Sequence, residues 1–237
     1  RMSCILLPLP AEFDYRLNLD FLERSPRELL HTVENGHLIK LLRYGDEKIL
    51  ARVRAGKSNL IVEFLNGEPT GPGNTFVRNY VLEWFDLETD LRPFYQLAAK
   101  DKLLGPLVKN YFGYRIIGQP DLFESIVWPI LGQQINLGFA YTLKQKFVET
   151  FGERLFWKQE SYYLFPQPKL VAGLTDEALL PLQFSRQKSS YTITVAAAFA
   201  SGEISKEKLA GLPLQEAKER LMKIKGIGNW TANYALM

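Results

Sequence analysis

The feature that most limits what this chain can fold into is a change of hydrophobic period across one Gly/Pro cluster, Gly67-Glu-Pro-Thr-Gly-Pro-Gly-Asn74. Before it, Leu38–Tyr44, Ile49–Arg54 and Leu60–Leu65 are rich in Ile, Leu, Val and Phe and read as strands. The turn signals between them, Gly45-Asp46 and Ala55 to Asn59, are short enough for an antiparallel meander. Asn18 to Arg24 reads as a short helix capped by Asn18. After the cluster, apolar residues recur at steps of three and four. Asp121-Leu-Phe-Glu124 has capping-box spacing and opens an apolar helix that Pro129 is expected to kink or divide. Further helices are expected from Leu137 to Phe151 with Gly152 as glycine cap, from Ser189 to Ser201, and from Leu214 to Ile224. The fold class is therefore α+β: an N-terminal domain with an antiparallel sheet over residues 1–74, then a mostly helical domain over 75–237.

Composition removes several classes of function. The 237 residues suffice for one large domain or two modest ones. One cysteine, Cys4, excludes an internal disulfide and a cysteine-ligated zinc or iron–sulfur site within these residues. Lys and Arg number 29 against 26 Asp and Glu, a net charge of +3 that permits nucleic-acid binding without arguing for it. Cys4 to Pro10 is apolar but too short, and too broken by proline, for a signal peptide. No apolar run approaches the roughly 18 residues of a membrane span. A soluble cytoplasmic protein is expected.

The most informative short stretch is Lys225-Gly226-Ile227-Gly228-Asn229, which joins two amphipathic runs. Gly226 can end the first run in a left-handed conformation. Gly228 keeps side chains away from whatever approaches, and Ile227 can point inward and pin the two helices together. Such a turn presents backbone N–H groups beside a helix N-terminus, a concavity suited to a phosphate oxygen. Contacts of this kind hold DNA without reading its sequence. Taken alone, Gly-x-Gly is better read as an ordinary helix–helix connection.

Its surroundings add to it. Phe123-Glu-Ser-Ile-Val-Trp-Pro-Ile-Leu-Gly-Gln-Gln-Ile135, the stretch Phe184 to Leu209 with Lys188, Tyr191 and Gly202, and Gly226-Ile-Gly-Asn-Trp-Thr-Ala-Asn-Tyr234 occur in one order. Together they resemble the helix-hairpin-helix DNA glycosylases, and within them the alkylation-repair DNA-3-methyladenine glycosylase II family. Glu12 to Tyr15 and Phe85 to Leu91 resemble it more weakly. The resemblance implies a helix-hairpin-helix over about residues 214–237, with Lys225, Gly226, Ile227, Gly228, Asn229 and Thr231 at the DNA backbone. It implies that Gln134, flanked by Gln133 and Ile135, fills the gap left in the base stack, although Ile135 could equally be core and the glutamines a helix end. It places Trp230 and Tyr234 at the base pocket, with Phe21 as a further pocket aromatic. The chemistry gives these residues a reason. A base inside a duplex must be rotated out, at about a few kcal/mol, before its glycosidic bond can be reached. Alkylation at purine N3 or N7 makes the base cationic, and an aromatic face attracts such a cation by about 0.5–2 kcal/mol. The related enzymes that also cleave the backbone carry a Schiff-base lysine where this chain has Trp230, which implies a monofunctional enzyme using water.

The family's catalytic aspartate is expected one helix and one turn beyond the hairpin, after Met237, and no acidic residue follows Glu219. Asp121 and Glu124 have a structural task first. A helix stopping at Met237 would leave its apolar side chains half covered, so these residues are expected to belong to a longer or incompletely ordered enzyme. The alternative function is a lesion-binding protein without catalysis. No cofactor is expected beyond a monovalent cation at the hairpin carbonyls, which the resemblance implies. The expected partner is duplex DNA with alkylated bases, bound by a monomer in a bacterial-type cytoplasm, at the nucleoid while acting.

Overall fold

The computed structural model describes residues 3–237, which form two compact units: residues 3–26 with 31–118, and residues 27–30 with 119–237.

The first unit is built on five antiparallel strands, β1 (Cys4–Pro8), β2 (Thr32–Glu34), β3 (His37–Tyr44), β4 (Glu47–Ala55) and β5 (Asn59–Phe64), in the order β1-β5-β4-β3-β2. The three expected strands are present, and the register sets Leu38 opposite Val53 and Leu41 opposite Leu50. Two strands were missed. β1 lies in the apolar stretch between prolines, where Ile5 and Leu7 face inward while Cys4, Leu6 and Pro8 are exposed. β2 has only three residues, too few to show a period.

Helix α1 (Tyr15–Leu22) starts earlier than expected and its cap is Asp14, whose carboxylate accepts the Leu17 N–H at 2.9 Å. Asn18 is not the cap. It is fully buried, donating to the carbonyls of Asp14 and Gly113 and accepting the Arg115 N–H. The boundary at residue 74 is also corrected. The second half of the Gly/Pro cluster, Gly71 to Asn74, is the first turn of α2 (Gly71–Trp84), with Thr70 as N-cap and Pro72 where helix N-termini accept it. Val77, Val81, Trp84 and Phe85 join Leu7, Leu38, Leu60, Val62 and Phe64 in one core, so the unit runs on to Gly118. Two short helices, α3 (Arg92–Ala98) and α4 (Leu104–Asn110), complete it.

The second unit contains α5 (Leu122–Gly132), α6 (Leu137–Phe151), α7 (Pro168–Ala172), α8 (Asp176–Leu179), α9 (Arg186–Ala200), α10 (Lys206–Ala210), α11 (Leu214–Met222) and α12 (Asn229–Leu236). A hairpin of β6 (Arg154–Trp157) and β7 (Glu160–Tyr163), not foreseen from the sequence, interrupts the helices. Asp121 caps α5 by accepting the Glu124 N–H at 2.9 Å. Pro129 does not divide α5, which continues to Gly132. Gly152 ends α6 with extended rather than left-handed backbone (φ −75°). A Cβ there would stand 2.3 Å from the Leu164 carbonyl oxygen, so glycine is required by crowding rather than by conformation. The core gathers Ile126, Val127 and Ile130 from α5, Leu143 and Phe147 from α6, Val195 and Ala196 from α9, and Leu221, Ile224, Ile227 and Ala232 from the last two helices and their connection.

Candidate functional site

The connection between α11 and α12 has the expected form. After α11 the chain makes two tight turns, Ile224 N–H to Leu221 C=O and Ile227 N–H to Ile224 C=O. Gly226 between them has φ +102°, a backbone state that disfavours side chains. A Cβ on it would lie 2.6 Å from Tyr191 Cγ, because the Tyr191 ring packs beneath the turn. Gln187 donates to the Tyr191 hydroxyl at 2.9 Å from one turn earlier in α9. Ile227 is buried in the core, as the inward pin should be. Gly228 is the N-cap of α12 with extended backbone, and a Cβ there would meet nothing within 4 Å.

No side chain caps α12, so the N–H groups of Asn229, Trp230 and Thr231 are without an intrahelical acceptor. The positive end of the helix dipole adds to their attraction for an anion. Lys223 and Lys225 are exposed beside this turn, and no ion pair with either exists among the described residues. The Thr231 side chain is buried, so its part in such a site falls to its backbone N–H.

Trp230 in the first turn of α12 and Tyr234 one turn later lie on one face. Their rings are stacked, with centroids 5.6 Å apart and planes inclined by 16°. Trp230 is 67% exposed, so its ring is open to a partner. Phe21 belongs to α1 in the first unit. Its ring meets Tyr114 edge-on, and the Arg24 guanidinium already sits over its face at 3.8 Å.

Gln133, Gln134 and Ile135 occupy the short loop between α5 and α6. Gln133 is the C-cap of α5, and Gln134, exposed, takes a left-handed φ of +59°. Ile135 packs partly buried against the helical core, and Asn136 caps α6 by accepting the Phe139 N–H at 2.8 Å. The loop therefore presents Gln134 outward while Ile135 anchors it.

Two lysines of this region are buried, which no pattern in the sequence foretold, although Lys188 lies in a stretch that carries the resemblance. Lys188 on α9 is buried and its ammonium donates to the Leu131 carbonyl at 2.7 Å. Lys144 on α6 lies 3.2 Å from the Glu124 carboxylate and 3.0 Å from that of Glu28, all three largely buried. Burial disfavours the Lys144 ammonium, but the Glu124 and Glu28 carboxylates outweigh it and hold its pKa above the usual lysine range. Lys188 and Leu131 are 57 residues apart and Lys144 and Glu28 are 116 apart, so only folding brings them together. Among the described residues no group of three His, Cys, Asp or Glu side chains could hold a metal ion, and no helix is long and apolar enough to cross a membrane.

This geometry coincides with known families. Residues 127–231 match the model of the HhH-GPD superfamily of base excision DNA repair proteins, and residues 27–126 match the N-terminal domain of 8-oxoguanine DNA glycosylase. The class is thus that of the helix-hairpin-helix base-excision glycosylases. The chain is 42% identical over 238 residues to DNA-3-methyladenine glycosylase of Bacillus subtilis, covering 98% of this chain and 78% of that protein. DNA-3-methyladenine glycosylase 2 of Escherichia coli is 34% identical over 131 residues, 55% of this chain and 45% of that protein. In fold, the 3-methyladenine DNA-glycosylase of Archaeoglobus fulgidus superposes with a TM-score of 0.83 at 24% identity, over 99% of this chain and 78% of that one. The chain belongs to the DNA-3-methyladenine glycosylase family, hydrolases of N-glycosyl bonds in base excision repair.

Proposed function

We propose that this glycosylase removes alkylated purines such as 3-methyladenine from duplex DNA, by flipping the damaged nucleotide out of the stack and hydrolysing its bond to the sugar. The observation that carries the reading is the stack of exposed Trp230 on half-buried Tyr234, which starts in the first turn of a helix whose N-terminus is uncapped. Phosphate oxygens accept from the backbone N–H groups of Asn229, Trp230 and Thr231, with Lys225 adding charge. The aromatic pair then receives the cationic base, and Gln134 fills the gap left in the duplex.

In this reading water is the nucleophile, since Trp230 offers no amine, and the acid that stabilises the oxocarbenium-like sugar is the aspartate expected after Met237. The expected monovalent cation would rest on hairpin carbonyls. Those of Ile224 and Gly228 already accept the Ile227 and Ala232 N–H groups, and each keeps a second lone pair for it. The test is chromatographic: the full-length protein is incubated with methylated duplex DNA and the released bases are identified. Release of 3-methyladenine without strand cleavage is expected. Tight binding with no released base would instead favour the lesion-binding alternative.

A further inference from the structure

The loop read above as the DNA wedge must keep a strained shape at an exposed site. Gln134 is a non-glycine residue with φ +59°, a left-handed conformation that side chains disfavour and that persists where the surroundings hold it. The usual device, a glycine at this position after the helix, is absent. The α5 end is also weakly closed by its own backbone, the Gln133 N–H reaching the Ile130 carbonyl at 3.4 Å. The far side of the loop is firmer, held by the Asn136 cap and by Arg27, whose guanidinium donates to the Gly138 carbonyl at 3.1 Å.

What holds the near side is Lys188. Its side chain is buried with a single polar partner among the described residues, the Leu131 carbonyl, one of the four that the end of α5 leaves open. Among the described residues no carboxylate pairs with it. A buried ammonium without a counter-ion is rare, because desolvation penalises the charge. Here the burial pushes its pKa down. The compensation is electrostatic, since the last carbonyls of a helix carry its negative end. An apolar residue would fill the same space without that penalty, so the placement argues for a positional task.

We propose that Lys188 is the positioning residue of the Gln133–Asn136 loop, fixing the end of α5 so that Gln134 is presented in its left-handed conformation. The assignment of Gln134 to the DNA stack rests on the proposed function. The holding of the loop by Lys188 does not, and the experiment separates them.

Hydrogen exchange and single-turnover base release are measured on full-length wild type, K188M, Q134A and the double variant. In K188M the amides of residues 133–136 should exchange at least tenfold faster, while those of α6 and α12 keep wild-type protection. Base release should fall at least tenfold with undamaged-duplex affinity within twofold of wild type, and the double variant should be no slower than the slower single variant. Unchanged loop exchange in K188M, or exchange raised evenly through the helical unit, overturns the proposal. Additive losses in the double variant overturn it too. If K188M does not fold, K188Q is read by the same criteria. Faster loop exchange in K188M beside full activity in Q134A would uphold the role of Lys188 and remove the wedge reading alone.

Discussion

Gly226 and Gly228 look alike in the sequence and are constrained differently. At Gly226 the positive φ and the Tyr191 ring both exclude a Cβ. G226A should therefore lower stability by about 1–3 kcal/mol in denaturant titration and weaken DNA binding with it. At Gly228 there is open space and ordinary extended backbone, so G228A should fold with an unchanged midpoint. If the turn receives a phosphate, the added methyl will still reduce duplex affinity, which fluorescence anisotropy would show. An unchanged affinity in a folded G228A would return the turn to the status of a plain helix connection. Trp230 offers the complementary test. Being largely exposed, it contributes little to the core, so W230A should leave the circular dichroism spectrum intact while base release falls at least tenfold. Gly-x-Gly and the aromatic spacing were legible in the sequence because both are local. The Tyr191 ring beneath Gly226 was not, since its packing there depends on α9 lying under the turn.

The helices around the loop are joined by charge as well as by apolar packing. Lys144 on α6 links Glu124 on α5 to Glu28 in the segment 27–30, and Trp128 lies one turn from Glu124 with its ring 5.2 Å from the ammonium. Removing the cation strands two largely buried carboxylates, so K144M should lower stability by about 3–5 kcal/mol in urea. In the first unit the strands and α1 are tied by Tyr15, whose hydroxyl donates to the carbonyls of Gly36 and Val53. Burial raises its pKa to about 12, above an unfolded value near 10. The folded state thus favours the neutral phenol. Its contribution is complete below about pH 10 and is lost as pH rises toward 12. Y15F should flatten the fall in stability over that alkaline range, measured by unfolding midpoints at each pH. Several elements missed or misplaced in the sequence are short or depend on distant partners. β1 and β2 are too short to show a period, α1 takes its cap from Asp14, and Asn18 turned inward to satisfy backbone groups nearly a hundred residues away.

For the whole molecule, a net charge of +3 supplies little general field, so in the proposed reading DNA affinity rests on local charge such as Lys225 at the hairpin. Undamaged-duplex affinity should fall linearly with salt on logarithmic axes. K225Q should make that slope shallower by about one and weaken all sequences alike. A slope unchanged in K225Q would place the phosphate contacts elsewhere.

The sequence by itself determined the α+β class, three of the strands, the helices α5, α6, α9 and α11, and the hairpin with its aromatic pair. Each of these is written in short-range pattern: period, caps, and a glycine pair between amphipathic runs. Tertiary structure decided where the first unit ends, because α2 buries its apolar face with the sheet and carries the unit past the Gly/Pro cluster. It also decided that Lys188 and Lys144 lie inside and which groups they hold. A buried charge is stable only beside its partners, and those partners lie far away in the chain.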